Sequence, residues 1–453
     1  MKEPLQSNGQ GMSIRQVAIA SMAGTILEWY DFFLYGFVAA LVFGELYFPT
    51  YSPLVGTLAS FGTLAVGFIA RPLGGLLFGH FGDRIGRKAM LITTLSVMGG
   101  ASFLIGLIPS YQSIGVLAPI ILTVLRFLQG IGLGGELGGA IAMTIEHSPR
   151  QQRGFYGSVV ALGSPLGLAL ATSILFGSSF LLSKESFLSW GWRIAFLINF
   201  VLLGIGLYIR LNLEETPAFK KLQERGGVVR FPILLVMRQY YREVLCAIAL
   251  YLGGITVPFY TVWVFLTYYA TSALHLDRSL VLLGVMGANI VLLASTLAGG
   301  YFSDKIGRKP ICFISLLFNA LLAFPLFWIV DLGQIFWLWL VMLVFGIPQW
   351  LIWGAVPVLY CELFPTHLRY TGVAIGSQAA TIIGGFVPLF ATAVVPKAGT
   401  WPISVLIVVC ALIGISSLFY IKETAPALSG DGDALGLFQR ARESNPAVTP
   451  ELG

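Results

Sequence analysis

The sequence predicts an all-α polytopic membrane protein, with twelve transmembrane helices arranged as two pseudo-symmetric six-helix bundles. Three observations carry this expectation. The 453 residues are 57% hydrophobic and only 11% charged, against roughly 25% charged residues in an ordinary soluble domain. Apolar runs of about 20 residues, the length that crosses a bilayer, recur from the N-terminal region to near residue 421. Finally, GHFGDRIGRK at 79–88 returns as GYFSDKIGRK at 300–309, so that Asp83 answers to Asp304. Repeats on this scale mark transporters whose site lies between the halves.

In chain order, six spans are expected near 16–44, 54–80, 89–108, 116–145, 154–180 and 193–211. Six more follow near 243–270, 279–301, 310–330, 335–361, 370–396 and 401–421. The resulting divisions are an N-terminal segment (1–15), a first bundle (16–211), a central loop (212–242), a second bundle (243–421) and a tail (422–453). The first span is too long for a signal-peptide core and is interrupted by Glu28 and Asp31, so it is expected to be retained. The tail is rich in Gly, Pro and Asp, has no heptad pattern and reads as disordered.

Basic residues set the expected orientation. Of 27 Lys and Arg, 21 fall on the side shared by both termini, 4 (Lys184, Arg193, Arg278, Lys397) on the other, and Arg71 and Arg126 within spans. The positive-inside rule then places both termini in the cytoplasm, with the protein in the cell's inner membrane. The same asymmetry accounts for the net charge of +6, so a nucleic-acid partner is not needed.

Other chemistries find no support. The four cysteines (Cys246, Cys312, Cys361, Cys410) are far apart, without metal-ligand spacing. No metalloprotease, serine-hydrolase or ATP-binding motif occurs, so neither a cofactor nor a metal is expected and any pumping must draw on an ion gradient.

The repeat extends beyond the first motif. Glu146 and Arg153 in EHSPRQQR match Glu362 and Arg369 in ELFPTHLR, and EETP at 214–217 is echoed by KETAP at 422–426. The G-x-x-x-D-R/K-x-G-R-K pattern resembles that of the major facilitator superfamily. EWYDFFLYG, RPLGGLLFGHFGDRIGRK, LRFLQGIGLGGELGGA, GWRIAFLIN and LEETPAF together are similar to its metabolite:proton symporter family, over about residues 15–426. That family carries shikimate, 2-oxoglutarate, citrate, and proline or betaine. The resemblance implies alternating access with the proton as coupling ion.

Glu28, Asp31 and Tyr35 are three and four residues apart, so they project from one helix face. An ionisable group at mid-membrane costs at least about 2.5 kcal/mol unless it meets a partner or water, so this face should point inward. Arg126 lies at a depth comparable to Asp31 on the antiparallel fourth span, and an Asp31–Arg126 ion pair is expected, with Glu28 nearby. Proton-coupled sugar carriers of the superfamily pair an acid and an arginine in this way. Burial favours the neutral carboxyl and a guanidinium favours the carboxylate, so moving the arginine away favours protonation and releases Arg126 to grip a substrate carboxylate. A static pair fixing helix register is the rival reading. For Glu136, a second proton site and a carboxylate bonded to a neighbouring helix both stay open.

The resemblance implies that Asp83, Arg84, Arg87, Glu146 and Arg153, with Asp304, Arg308, Glu362 and Arg369, form a cytoplasmic gate. Arg126, Gln129, Tyr35, Tyr260, Trp263, Asn289, Gln349, Trp353 and Gln378 are the candidate substrate contacts, with Trp350 beside them. The expectation is therefore an importer of a small organic acid, embedded in lipid and working as a monomer. A zwitterionic osmolyte carrier and a non-transporting sensor on the same fold are the alternatives.

Overall fold

The computed structural model describes residues 14–85, 87–134, 141, 144–145, 148–211, 232–364 and 368–425. Most of the expected central loop, the N-terminal segment to residue 13 and the tail from residue 426 lie outside them. Among the described residues the regular elements are all helical.

The first half comprises α1 (Ile14–Tyr47), α2 (Pro53–Ile85), α3 (Arg87–Leu107), α4 (Leu117–Gly134), α5 (Arg150–Leu181) and α6 (Lys184–Leu211). The second comprises α7 (Tyr241–Ala273), α8 (Arg278–Ile306), α9 (Arg308–Val330) and α10 (Ile335–Leu363). It ends with α11 (Arg369–Gly385 and Val387–Ala398) and α12 (Trp401–Leu418). Eleven of these helices are long and apolar enough to cross a membrane, and α3 supplies a shorter apolar stretch, Ile92–Leu107.

The internal repeat is visible in the packing. α2 lies on α4 as α8 lies on α10, and α3 lies on α6 as α9 lies on α12. Small residues let the backbones touch: a Cβ at Gly74 would collide with the Ile131 carbonyl on α4, and one at Gly299 with the Leu351 carbonyl on α10. Close approach of this kind replaces the hydrophobic driving force that is missing between helices in lipid. The outward faces carry exposed apolar side chains at helical spacing, such as Leu197, Phe200, Val201, Ile205 and Tyr208 of α6. Such stripes would be a liability in water and suit a bilayer.

Between the halves, α5 packs on α8 and α2 on α11. Several helices depart from ideal α geometry. α7 contains three π-helical segments, Leu252–Thr256, Tyr260–Phe265 and Tyr269–Ala273, and α1 contains one at Ala39–Phe43. Wide turns of this type re-aim side chains and cluster at functional positions. Gly307, at φ 108°, separates α8 from α9 in a backbone region that favours glycine.

Candidate functional site

A cavity lies between the halves. Trp29 of α1, Arg71 of α2 and Ser164 of α5 line it from one side. From the other come Tyr251, Thr256, Phe259 and Tyr260 of α7, Gln349, Trp350 and Trp353 of α10, and Thr381 of α11. The first π turn of α7, Leu252–Thr256, falls within the stretch that supplies its lining, and the second begins at Tyr260. Aromatic pairs join the halves around the cavity: Phe33 stacks on Phe259 at 4.9 Å, and Trp29 meets Trp353 edge-on at 5.2 Å. Phe68 meets Tyr260 at 5.2 Å, and Trp353 Nε1 donates to the Ala161 carbonyl at 3.1 Å.

Arg71 is the cavity's cation. It is only 2% exposed, and its guanidinium sits 5.0 Å from the Phe32 ring centre and 5.9 Å from that of Phe68. Nη2 lies 3.7 Å from Glu28 Oε1, too long for a hydrogen bond. Its Nε and Nη1 have no hydrogen-bond partner, nor does Glu28 Oε1. Arg210, in the last turn of α6, acts on the same carboxylate. A buried guanidinium with unspent donors beside rings is suited to hold a carboxylate.

Asp31 occupies a separate polar cluster within the first half. Oδ1 accepts from Ser102 Oγ of α3 and from Asn199 Nδ2 of α6 at 2.8 Å. Oδ2 accepts from Gln129 Nε2 of α4 at 2.7 Å. Arg126 Nη1 donates to the Oε1 of that same Gln129. The guanidinium of Arg126 stacks 4.1 Å from the Tyr35 ring centre, and Tyr35 Oη pairs with Thr63 Oγ1 at 2.6 Å. Gly67 leaves the room for this: a Cβ there would strike Arg126 Nε.

This arrangement corrects the expected direct ion pair. Asp31 and Arg126 share a cluster, but the Gln129 amide stands between them, donating to the acid and accepting from the arginine. Glu28 joins Arg71 and Arg210 instead, one helical turn along α1. The cavity arginine is Arg71, and Arg126 is not in the lining.

Of the other expected contacts, Tyr260, Gln349 and Trp353 line the cavity, as does Trp350. Trp263 stands behind Gln349 and donates to its Oε1 at 2.7 Å, leaving Gln349 Nε2 without a partner. Asn289 turns back on its own helix, donating to the Val285 carbonyl at 2.7 Å. Gln378 is buried beside Thr381, whose hydroxyl donates to the Gln378 carbonyl at 2.7 Å. Glu136 and Glu146 lie outside the described residues, as do the side chains of Asp83, Arg84, Arg87 and Arg369.

The described gate residues meet at the end of the bundle that carries the repeated basic motif. Asp304 of α8 accepts from the backbone N–H groups of Gly154 and Phe155, each at 2.8 Å, and so caps the opening turn of α5 across the interface between halves. Helix N-termini bind anions in this way. Asp304 also pairs with Arg308 at 2.7 Å, while Glu362 receives Arg308 at 3.4 Å and, from the other half, Arg153 at 3.9 Å. Beyond α12, Glu423 accepts from the backbone N–H groups of Arg308 at 2.8 Å and Lys309 at 3.0 Å, and Thr424 Oγ1 donates to Glu362 at 2.6 Å.

Sequence reasoning gave no role to Arg71, Arg210, Ser102 or Asn199. Arg71 did carry a signal, since a charge inside a span is a functional candidate by default. Ser102 and Asn199 are single polar residues in apolar runs, a weaker sign.

Two bundles of six helices, a polar and aromatic cavity between them and ion pairs bridging one end define an alternating-access transporter. A family model of the Major Facilitator Superfamily matches residues 21–388, and the chain belongs to that superfamily: it is a transporter and not an enzyme. It is 37% identical over 425 residues to the shikimate transporter of Escherichia coli (strain K12), covering 91% of this chain and 95% of the relative. To the proline/betaine transporter of the same organism it is 34% identical, covering 95% of this chain and 88% of that one. A partially occluded, inward-open structure of the xylose transporter XylE from E. coli shares the fold, with a TM-score of 0.71 at 19% identity, over 91% of this chain and 98% of that one.

Proposed function

We propose that the protein imports a small organic acid together with protons, working as a monomer in the inner membrane with both termini and the gate end in the cytoplasm. The observation that carries this is Arg71: a buried guanidinium facing the cavity, with two donor nitrogens unspent and, among the described residues, its acid neighbour Glu28 at 3.7 Å. A carboxylate in the cavity supplies the missing acceptors. Ser164, Thr256 and Thr381 offer hydroxyls, and the surrounding tryptophans offer faces for a ring. Among the described residues, Glu28 and Asp31 are buried acids of the same half able to carry the proton. The shikimate transporter among the relatives supports an acid of this kind.

The aromatic lining also favours a second reading, since the rings of Trp29, Trp353 and Tyr260 suit a quaternary ammonium, with Arg71 holding the carboxylate of a betaine. Uptake into proteoliposomes under an inward proton gradient decides between them, using labelled shikimate, 2-oxoglutarate, citrate, proline and betaine. Uncoupler-sensitive accumulation of an organic acid supports the first reading. Accumulation of betaine or proline alone supports the second, and no accumulation of any of the five refutes proton-driven import of these substrates.

A further inference from the structure

Resting on Arg71 as the substrate's anchor, we propose that Glu28 is the group that couples the two fluxes. It stands against Arg71 when no substrate is bound, and yields that place as a neutral carboxyl when the substrate's carboxylate arrives. The argument begins with the shape of a guanidinium. A carboxylate grips it with two parallel bonds either across Nη1 and Nη2 or across Nε and Nη2. Both modes use Nη2, the nitrogen that faces Glu28 Oε1. Two-bonded capture of substrate therefore competes with Glu28, while the other two nitrogens are already unspent.

Electrostatics gives that competition its proton. A second carboxylate beside Glu28, and loss of its nearest cation to that carboxylate, both favour the neutral acid. Substrate binding thus draws a proton onto Glu28 and, by linkage, a proton on Glu28 tightens substrate binding. The step is one O–H bond formed with a proton from the side open to water, and the same bond broken on the other side as substrate leaves and Arg71 returns. Among the described residues, the charged and titratable groups facing Glu28 are Arg71 from α2, Arg210 from α6 and Tyr251 from α7. α5 packs along α1 through Gly163 and Gly167 and carries no ionisable side chain from Gly157 to Leu181. Arg210 still acts electrostatically on the displaced carboxyl.

Asp31 fits the coupling role less well. Its two oxygens take donors from Ser102, Asn199 and Gln129, a set matched to a carboxylate, whereas Glu28 Oε1 has no hydrogen-bond partner. It is a positioning residue that holds α1 against α3, α4 and α6.

Equilibrium binding tests the assignment, with the protein in lipid nanodiscs and labelled shikimate as probe, or whichever acid of the uptake panel is accumulated. Between about pH 5.5 and 8, wild-type affinity should rise as pH falls, by up to about tenfold per unit for one linked proton. Glu28→Gln should bind with no pH slope, and Asp31→Asn should keep the slope. Glu28→Asp, which retains an ionisable group, should show the slope at a displaced pH and serves where the Gln variant does not fold. A slope that persists in Glu28→Gln, that disappears in Asp31→Asn, or that is unmoved in Glu28→Asp overturns the proposal and leaves the Arg71 reading standing. Wild-type protein that binds none of the acids removes both.

Discussion

Replacing Asp304 by alanine should release one end of the transporter. Its carboxylate takes two backbone N–H groups of α5, both at 2.8 Å, and these bonds cross from one half to the other. Its bond to Arg308 stays within the second half, so that loss affects stability more than the balance between conformations. Capping bonds lost to alanine cost about 0.5–2 kcal/mol, which at RT of about 0.6 kcal/mol is a shift of about 2- to 30-fold toward the state open at the gate end. The assay is alkylation of Ser164→Cys, a cavity residue, in a background with the four native cysteines changed to alanine. A membrane-impermeant maleimide applied from the gate side should react about 2- to 30-fold faster in Asp304→Ala, and Asp304→Asn, which keeps one acceptor, should fall between. An unchanged rate, or an equal rise from both sides of the membrane, would refute the claim that this cap is a gate.

Two further outcomes follow from the packing. Gly130→Ala should lower the melting temperature, because its Cβ would strike the Gly67 carbonyl and sit 2.9 Å from Ala70 Cβ, whereas Gly62→Ala, with nothing within 4 Å, should not; overpacking costs about 1–3 kcal/mol, and equal melting of the two variants would contradict the account. Gln129→Leu strands Asp31 Oδ2 and Arg126 Nη1, at about 1–3 kcal/mol for each unsatisfied group, so a thermal-stability cycle with Asp31→Asn should be non-additive by about 0.5–3 kcal/mol, and strict additivity would show that Gln129 does not join them.

The spans were legible because lipid demands long apolar helices, and hydropathy alone finds those. The doubled motif likewise announced two halves. What one dimension could not supply was lateral position. Asp31 and Arg126 do belong to one cluster, as their depths suggested, but only packing shows that Gln129 occupies the space between them. Arg210 looked like a loop residue at the end of a span, yet it is 6% exposed and acts on Glu28. Asn289 looked like a lining residue, but a mid-helix amide can satisfy itself on its own backbone. The π turns of α7 have no signature in hydropathy, so the aim of Tyr251 and Thr256 into the cavity was hidden, while Tyr260 stood out as an aromatic candidate. Arg71 was visible as a charge, and its role became clear only when the second half was seen closing over it.

The central claim is that Arg71 holds the substrate's carboxylate while a proton travels with it. The most direct measurement records lumenal acidification, by an entrapped pH dye, and labelled acid uptake together in proteoliposomes containing wild-type protein or Arg71→Gln. Wild-type vesicles should acidify in step with uptake of the acid, and Arg71→Gln should show neither. Uptake by Arg71→Gln with wild-type KM, or wild-type uptake without acidification, would contradict the account.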